Sequence, residues 1–128
     1  MRFLLDTHTL LWAIGEPGRL SQRATELMID PRSELLASTA SLWEIAIKFQ
    51  GGKLNVPVSR QYFDFHFSRI GVRRVLAVDQ VHVYALLALP PAHRDPFDRL
   101  LAAQCIAESA QLITADPIFR KYPIQAVW

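Results

Sequence analysis

Short apolar runs closed by polar residues recur along the chain. Phe3-Leu4-Leu5 is followed at once by Asp6-Thr7-His8, after which Leu10, Leu11, Trp12 and Ile14 return at helical density, the pattern of a buried strand feeding a helix. Gly15-Glu16-Pro17-Gly18 breaks that helix, and Ser21 stands as the N-cap of a second one through Ile29, which Asp30-Pro31 ends. Leu35-Leu36-Ala37 reads as a second buried strand. Ser38 to Ser41 lead into a helix over Leu42 to Lys48, stopped by Gly51-Gly52. Ser59 predicts a helix to Arg69 whose Tyr62, Phe63, Phe65 and Phe67 are too dense for one apolar face, and Gly71 ends it. Val72 to Val78 predicts a third strand, Asp79 caps a helix to Leu89, and Pro90-Pro91 stops that helix. A loop over Ala92, His93 and Arg94 delivers Asp95-Pro96-Phe97-Asp98 and a strong helix from Arg99 to Ser109. Leu112-Ile113-Thr114 reads as a fourth strand, Asp116-Pro117 opens a short helical turn, and Ile124 to Val127 adds a last strand. Strands alternating with helices predict an α/β fold with a mainly parallel sheet, in one domain over residues 1–128.

Composition narrows this picture. With 128 residues, 51% of them hydrophobic, the chain can bury roughly two thirds of its unfolded surface and needs no disulfide or metal staple to hold a core. A formal net charge of +2 excludes binding driven by a polybasic tail. Cys105 is the single cysteine, so no internal disulfide exists, and no zinc-type spacing surrounds it; a reducing cytoplasm is the expected location. No apolar run approaches the ~20 residues that span a bilayer, and the first one is too short for a signal peptide.

The chemistry lies in acids placed at strand ends and helix starts. Asp6 closes the first strand, Glu44 lies in the helix after the second, Asp95 and Asp98 open the long helix, and Asp116 follows the fourth strand. In an open parallel sheet the carboxyl ends of the strands share one edge, where ligands bind, so these acids are expected to converge. Helix capping accounts for several of them equally well: Asp95 precedes Pro96, Asp116 precedes Pro117, and Ser41-x-x-Glu44 has the form of a capping box. Asp6 is different, because a carboxylate ending a buried strand carries a desolvation cost unless something binds it. Converging carboxylates repel one another unless a cation lies between them. Mg2+ or Mn2+ suits such a set, since hard ions take carboxylate and phosphate oxygens and activate water for phosphodiester hydrolysis.

At these residues the sequence resembles the PIN-domain family, and within it the small VapC-type toxins of toxin–antitoxin pairs. The resemblance rests on Leu4-Leu5-Asp6-Thr7-His8, Ser41-Leu42-Trp43-Glu44-Ile45-Ala46, His93 through Gln104, and Thr114-Ala115-Asp116 followed by Phe119, in that order across essentially the whole chain. It implies a three-layer α/β/α sandwich around a mainly parallel sheet and a Mg2+- or Mn2+-dependent endoribonuclease. It also implies a catalytic quartet of Asp6, Glu44, Asp98 and Asp116, with Asp6, Asp98 and Asp116 as metal ligands. Asp98 takes the third place because it stands just before the Leu100-Leu101-Ala102-Ala103 run, which leaves Asp95 as a cap or an outer acid, and Thr7 and Thr114 as polar supports. An RNA substrate, a VapB-like antitoxin and a homodimer are further implications; Trp12 and the aromatics from Tyr62 to Phe67 are candidates for such contacts, beside a plain role in the core.

Basic residues are expected around an acidic centre that receives a polyanion. Arg99 and Arg94, flanking the Asp95 to Asp98 segment, are the first candidates for RNA contacts, followed by Arg73-Arg74 and Arg120-Lys121. His8 and His93 stand beside the acids as loop-orienting residues or proton shuttles, while Trp43 and Cys105 read as core. A phosphatase with Asp6 as nucleophile is disfavoured, because its partner acid two residues on is replaced by His8. A catalytically idle RNA-binding or protein-interaction module is the alternative, and retention of all four acids argues against it.

Overall fold

The computed structural model describes residues 1–91 and 93–128; the loop expected at Ala92 lies outside the described residues. Five strands, β1 (Arg2–Leu5), β2 (Glu34–Ser38), β3 (Val72–Leu76), β4 (Gln111–Ile113) and β5 (Ala126–Val127), form one sheet in the order β3-β2-β1-β4-β5. Every pairing is parallel. The helices are α1 (Thr7–Gly15), α2 (Gln22–Ile29), α3 (Thr39–Gln50), α4 (Arg60–Ile70), α5 (Gln80–Leu87) and α6 (Pro96–Glu108), with 3-10 turns at Pro17–Arg19 and Pro117–Lys121.

Alternation along β1 builds the three layers. Side chains two apart share a sheet face, so Phe3 and Leu5 join Leu10, Ala24, Leu35, Ala37 and Phe67 in one apolar cluster beneath α1, α2 and α4. Leu4 turns the other way to meet Leu36, Leu101, Ala102, Cys105 and Leu112 beneath α5 and α6. The result is an α/β/α sandwich around a parallel sheet: the alternation of strands and helices predicts the α/β class, and the family resemblance implies the three layers.

Local chemistry sets most boundaries. Asp6 caps α1 by accepting from the His8 N–H at 2.9 Å, which starts that helix at Thr7, ahead of the apolar residues. Asp95 accepts from the N–H groups of Phe97 and Asp98, with Pro96 at the first helical position, so α6 begins three residues before Arg99. Gly71 ends α4 in the left-handed conformation, φ 87°, which suits a residue without Cβ. Ser109 does the same after α6 at φ 52° despite its side chain. β3 and β5 are shorter than the runs Val72 to Val78 and Ile124 to Val127 because β2 and β4 offer partners only over the paired registers.

The strand order reverses at β1. From β1 the chain moves outward through β2 to β3, then crosses back through α5 and α6 to lay β4 on the other side of β1. A reversal of this kind leaves a crevice at the carboxyl ends of the two strands flanking it. Asp6 follows one of those strands and Thr114 follows the other. α6 runs antiparallel to the sheet, so its N-terminal turn, with Asp95 and Asp98, reaches the same edge.

Candidate active site

Asp6 is the centre of the crevice. It is 5% exposed, its Oδ2 accepts from the Thr114 hydroxyl, and its Oδ1 accepts from the His8 N–H. Its backbone N–H donates to the Ile113 carbonyl at 3.2 Å, carrying the β1–β4 ladder to the carboxylate itself. Burial raises the carboxyl above the usual range, more than the Thr114 and His8 hydrogen bonds lower it. Thr7 stands behind it, buried, donating from its hydroxyl to the Ser41 hydroxyl at 2.9 Å and so tying the start of α1 to α3.

That bond overturns the expected capping box. Ser38 is the cap of α3, accepting from the Ala40 N–H at 3.0 Å, and Ser41 is a buried residue inside the helix. Glu44 is thereby released from capping. Its Oε2 meets Lys48 at 3.4 Å, while its Oε1 is buried and has no hydrogen-bond partner among the described residues. Trp43 is also corrected: it is 62% exposed, not core, and packs edge-on against Phe97 with ring centroids 5.2 Å apart. Its place on α3 beside Glu44 turns it outward over the start of α6.

Asp98 receives the Nε2 of His93 at 2.9 Å from its Oδ2. Its carboxyl is pushed up to about 6, first by burial and next by the negative charge of Asp95, with Asp6 and Glu44 adding to the effect. Asp6, Glu44, Asp95 and Asp98, from three separated segments, therefore lie within electrostatic reach of one another. Among the described residues, His93, Asp95 and Asp98 bring ligand atoms within 4.8 Å of one another. Asp116 and Asp6 both line a cavity of about 240 Å³ together with His8 and Trp12. Asp116 also caps the Pro117–Lys121 turn through the Ile118 N–H, and its own N–H donates to the Thr114 hydroxyl at 3.1 Å.

The basic candidates separate by what they already hold. Arg99 donates to the carbonyls of Pro90 and His93, fixing the loop that carries His93. Arg94 is exposed. Arg74 pairs with Glu108, ten residues along α6 from Asp98 and so about 15 Å away along the helix axis, which removes it from the site. Arg23, which no strand-end pattern singles out, lies on α2 and lines a cavity with Asp116 and Arg120. His82, fully buried, joins the Asp79 N–H to Glu108 and is structural.

A carboxylate cluster with a buried, unpartnered Glu44 oxygen and two acids raised by burial and mutual repulsion is short of positive charge. The donor set, carboxylate oxygens with one imidazole, is that of a hard divalent cation, so the residues fit such an ion.

Comparison with known proteins agrees with this fold. The family model described as PIN domain matches residues 3–125. Ribonuclease VapC22 of Mycobacterium tuberculosis (strain ATCC 25618 / H37Rv) is 32% identical over 124 residues, covering 93% of this chain and 90% of that protein. The crystal structure of VapBC2 from Rickettsia felis, bound to a DNA fragment from their promoter, superposes with a TM-score of 0.72 at 16% identity, over 99% of this chain and 98% of that one. FitAcB from Neisseria gonorrhoeae gives 0.63 at 16% identity, over 98% and 96%.

Proposed function

This chain belongs to the PIN domain family, and we propose that it is a metal-dependent endoribonuclease serving as the toxin of a toxin–antitoxin pair. The observation that supports the reading is the crevice at the β1–β4 reversal, where the buried Asp6 shares a cavity with Asp116 and lies within electrostatic reach of Glu44 and Asp98. Asp6, Asp98 and Asp116 would hold Mg2+ or Mn2+, with His93 and Asp95 beside Asp98. When bound, the cation supplies charge neutralisation for the phosphodiester and acidifies water.

The chain's own residues do the positioning. The Thr114 hydroxyl and the His8 N–H fix both oxygens of Asp6. His93 orients Asp98, and Arg99 holds the loop from which His93 reaches it. Glu44, held at Oε2 by Lys48, keeps Oε1 as the acceptor for the proton of the attacking water; as that water's oxygen bonds phosphorus, the ribose oxygen would leave with the P–O bonding pair and take a proton from solvent. Arg94, and Arg99 through the donors it does not spend on the Pro90 and His93 carbonyls, would form part of a basic rim for the RNA.

The antitoxin, by analogy with the VapBC2 complex, would cover an apolar groove of about 510 Å³ lined by Leu11, Trp12, Val56, Tyr62 and His66 between α1 and α4. A homodimer, a single functional domain over residues 1–128 and a cytoplasmic location complete the proposal. No helix among the described residues is long and apolar enough to cross a membrane.

Purified protein is expected to cleave a generic single-stranded RNA with Mg2+ or Mn2+, and EDTA or Asp6→Asn to abolish cleavage. Metal-independent activity, or an unimpaired variant, sinks the mechanism. Induced expression is expected to arrest growth and Asp98→Asn to relieve the arrest; a host indifferent to the wild-type protein refutes the toxin role alone.

A further inference from the structure

We infer that Arg23 and Arg120 form a second phosphate subsite, which grips the RNA backbone next to the phosphodiester being cleaved. The inference rests on the ribonuclease reading above and adds the path of the strand. A cavity of about 330 Å³ is lined by Arg23 from α2, by Thr114 and Asp116 after β4, by Arg120 from the turn at Pro117–Lys121, and by Trp128. It adjoins the cavity of Asp6 and His8, because Ala115, Asp116 and Pro117 wall both. The two make one trough, acidic at Asp6 and basic at Arg23 and Arg120.

Nothing in the described chain occupies either arginine; Arg73 and Arg94 are unpaired too, but Arg23 and Arg120 are the two that line one cavity with Asp116. Arg2, Arg19, Arg32, Arg60 and Arg74 pair with carboxylates, Arg69 lies over Phe65, and Arg99 holds loop carbonyls. Neither Arg23 nor Arg120 forms an ion pair or hydrogen bond with any described residue, although Asp116 lines the same cavity. Two guanidiniums brought to one cavity from elements about a hundred residues apart, each with its full fork of donors unused, match the non-bridging oxygens of a phosphodiester. A polynucleotide whose reacting phosphate lies at Asp6 must place a neighbouring phosphate on one side or the other, and on this side two unpaired guanidiniums line one cavity with Asp116. Contacts of this kind hold the strand in position without reading its sequence.

The test measures binding apart from cleavage. A short fluorescein-labelled single-stranded oligoribonucleotide is titrated with wild-type protein, Arg23→Gln, Arg120→Gln and the double variant, in EDTA and over a salt series, with thermal melts to verify folding. The double variant is expected to bind about tenfold more weakly. Its log–log salt slope is expected to be shallower by about 1.4, the value for two single-strand phosphate contacts. Arg23→Lys with Arg120→Lys should recover most of the slope, and in Mg2+ the loss should appear as a higher KM with kcat little changed. Unchanged affinity and slope in the double variant overturn the subsite. Arginine-dependent binding by a protein that cleaves no RNA refutes the nuclease reading and leaves the subsite standing; cleavage with no arginine dependence does the reverse. A wild-type protein that neither binds nor cleaves RNA overturns both.

Discussion

Replacing Asp98 by Asn is expected to make the metal-free protein more stable at neutral pH while destroying its activity. The Asp98 carboxyl is raised from 3.8 to about 6 because burial and the charges of Asp95, Asp6 and Glu44 disfavour its ionised form. At low pH it is protonated in both the folded and the unfolded chain and costs nothing. As pH rises past 3.8 the unfolded chain releases its proton first, so stability falls, and it goes on falling until the folded carboxyl ionises near 6. Spanning that interval at 1.36 kcal/mol for each pH unit amounts to about 3 kcal/mol. The side chain retains 17% exposure and His93 stabilises its charge, so about 2 kcal/mol is the working figure. The amide of the variant has no proton to lose, and its oxygen still accepts from His93. Its advantage should therefore be absent near pH 4 and reach ~8 °C in melting temperature near pH 7.5. Calorimetric melts in EDTA across that range check it. Adding Mg2+ or Mn2+ should raise the wild-type melting temperature and leave the variant's nearly unmoved. Parallel pH–stability curves for the two proteins, or a variant less stable at neutral pH, would refute the idea that Asp98 is held against its own electrostatics.

Three other outcomes follow from local geometry. Thr114→Val keeps the shape but removes the donor to Asp6, and should cost about 1–3 kcal/mol in urea melts together with a large fall in kcat, whereas Thr114→Ser should retain most of both. Ser109→Gly relieves a side chain held at φ 52° and should stabilise the fold by about 0.5–1 kcal/mol without changing RNA cleavage, measured by the same melts. Cys105 is buried with its thiol pushed up to about 12, so iodoacetamide should leave it unmodified in the native protein and alkylate it in guanidinium, read by mass spectrometry.

Much of the fold can be read from period and punctuation, because the apolar triplet Phe3 to Leu5 and the run Leu35 to Ala37 have no plausible place outside a buried sheet. The burial of Asp6 was legible for the same reason, since it directly closes such a strand. Ser41 was misleading because a capping box is only a spacing, and the hydroxyl that decides the matter belongs to Thr7, 34 residues earlier. Trp43 read as core because tryptophan is mostly buried, yet its position on α3 is set by Ile45 and Ser41 facing inward. The partnership of His93 with Asp98 crosses from a loop into a helix and obeys no helical period. Arg23 carried no signal at all, since only the return of α2 against the carboxyl edge puts it opposite Arg120.

The position of β1 at the middle of the sheet also has a consequence for synthesis. Its backbone is paired on one side by β2, but the other side waits for β4, and the Thr114 hydroxyl that fixes Asp6 lies 108 residues downstream. Pairings so distant in the chain are slow to close and leave a strand edge open meanwhile. A ribosome making this protein therefore carries, for nearly the whole of translation, a chain whose acidic crevice has only one wall. On the proposed reading, a toxin built in this order is harmless to the machinery producing it until its last quarter has emerged and β4 has docked.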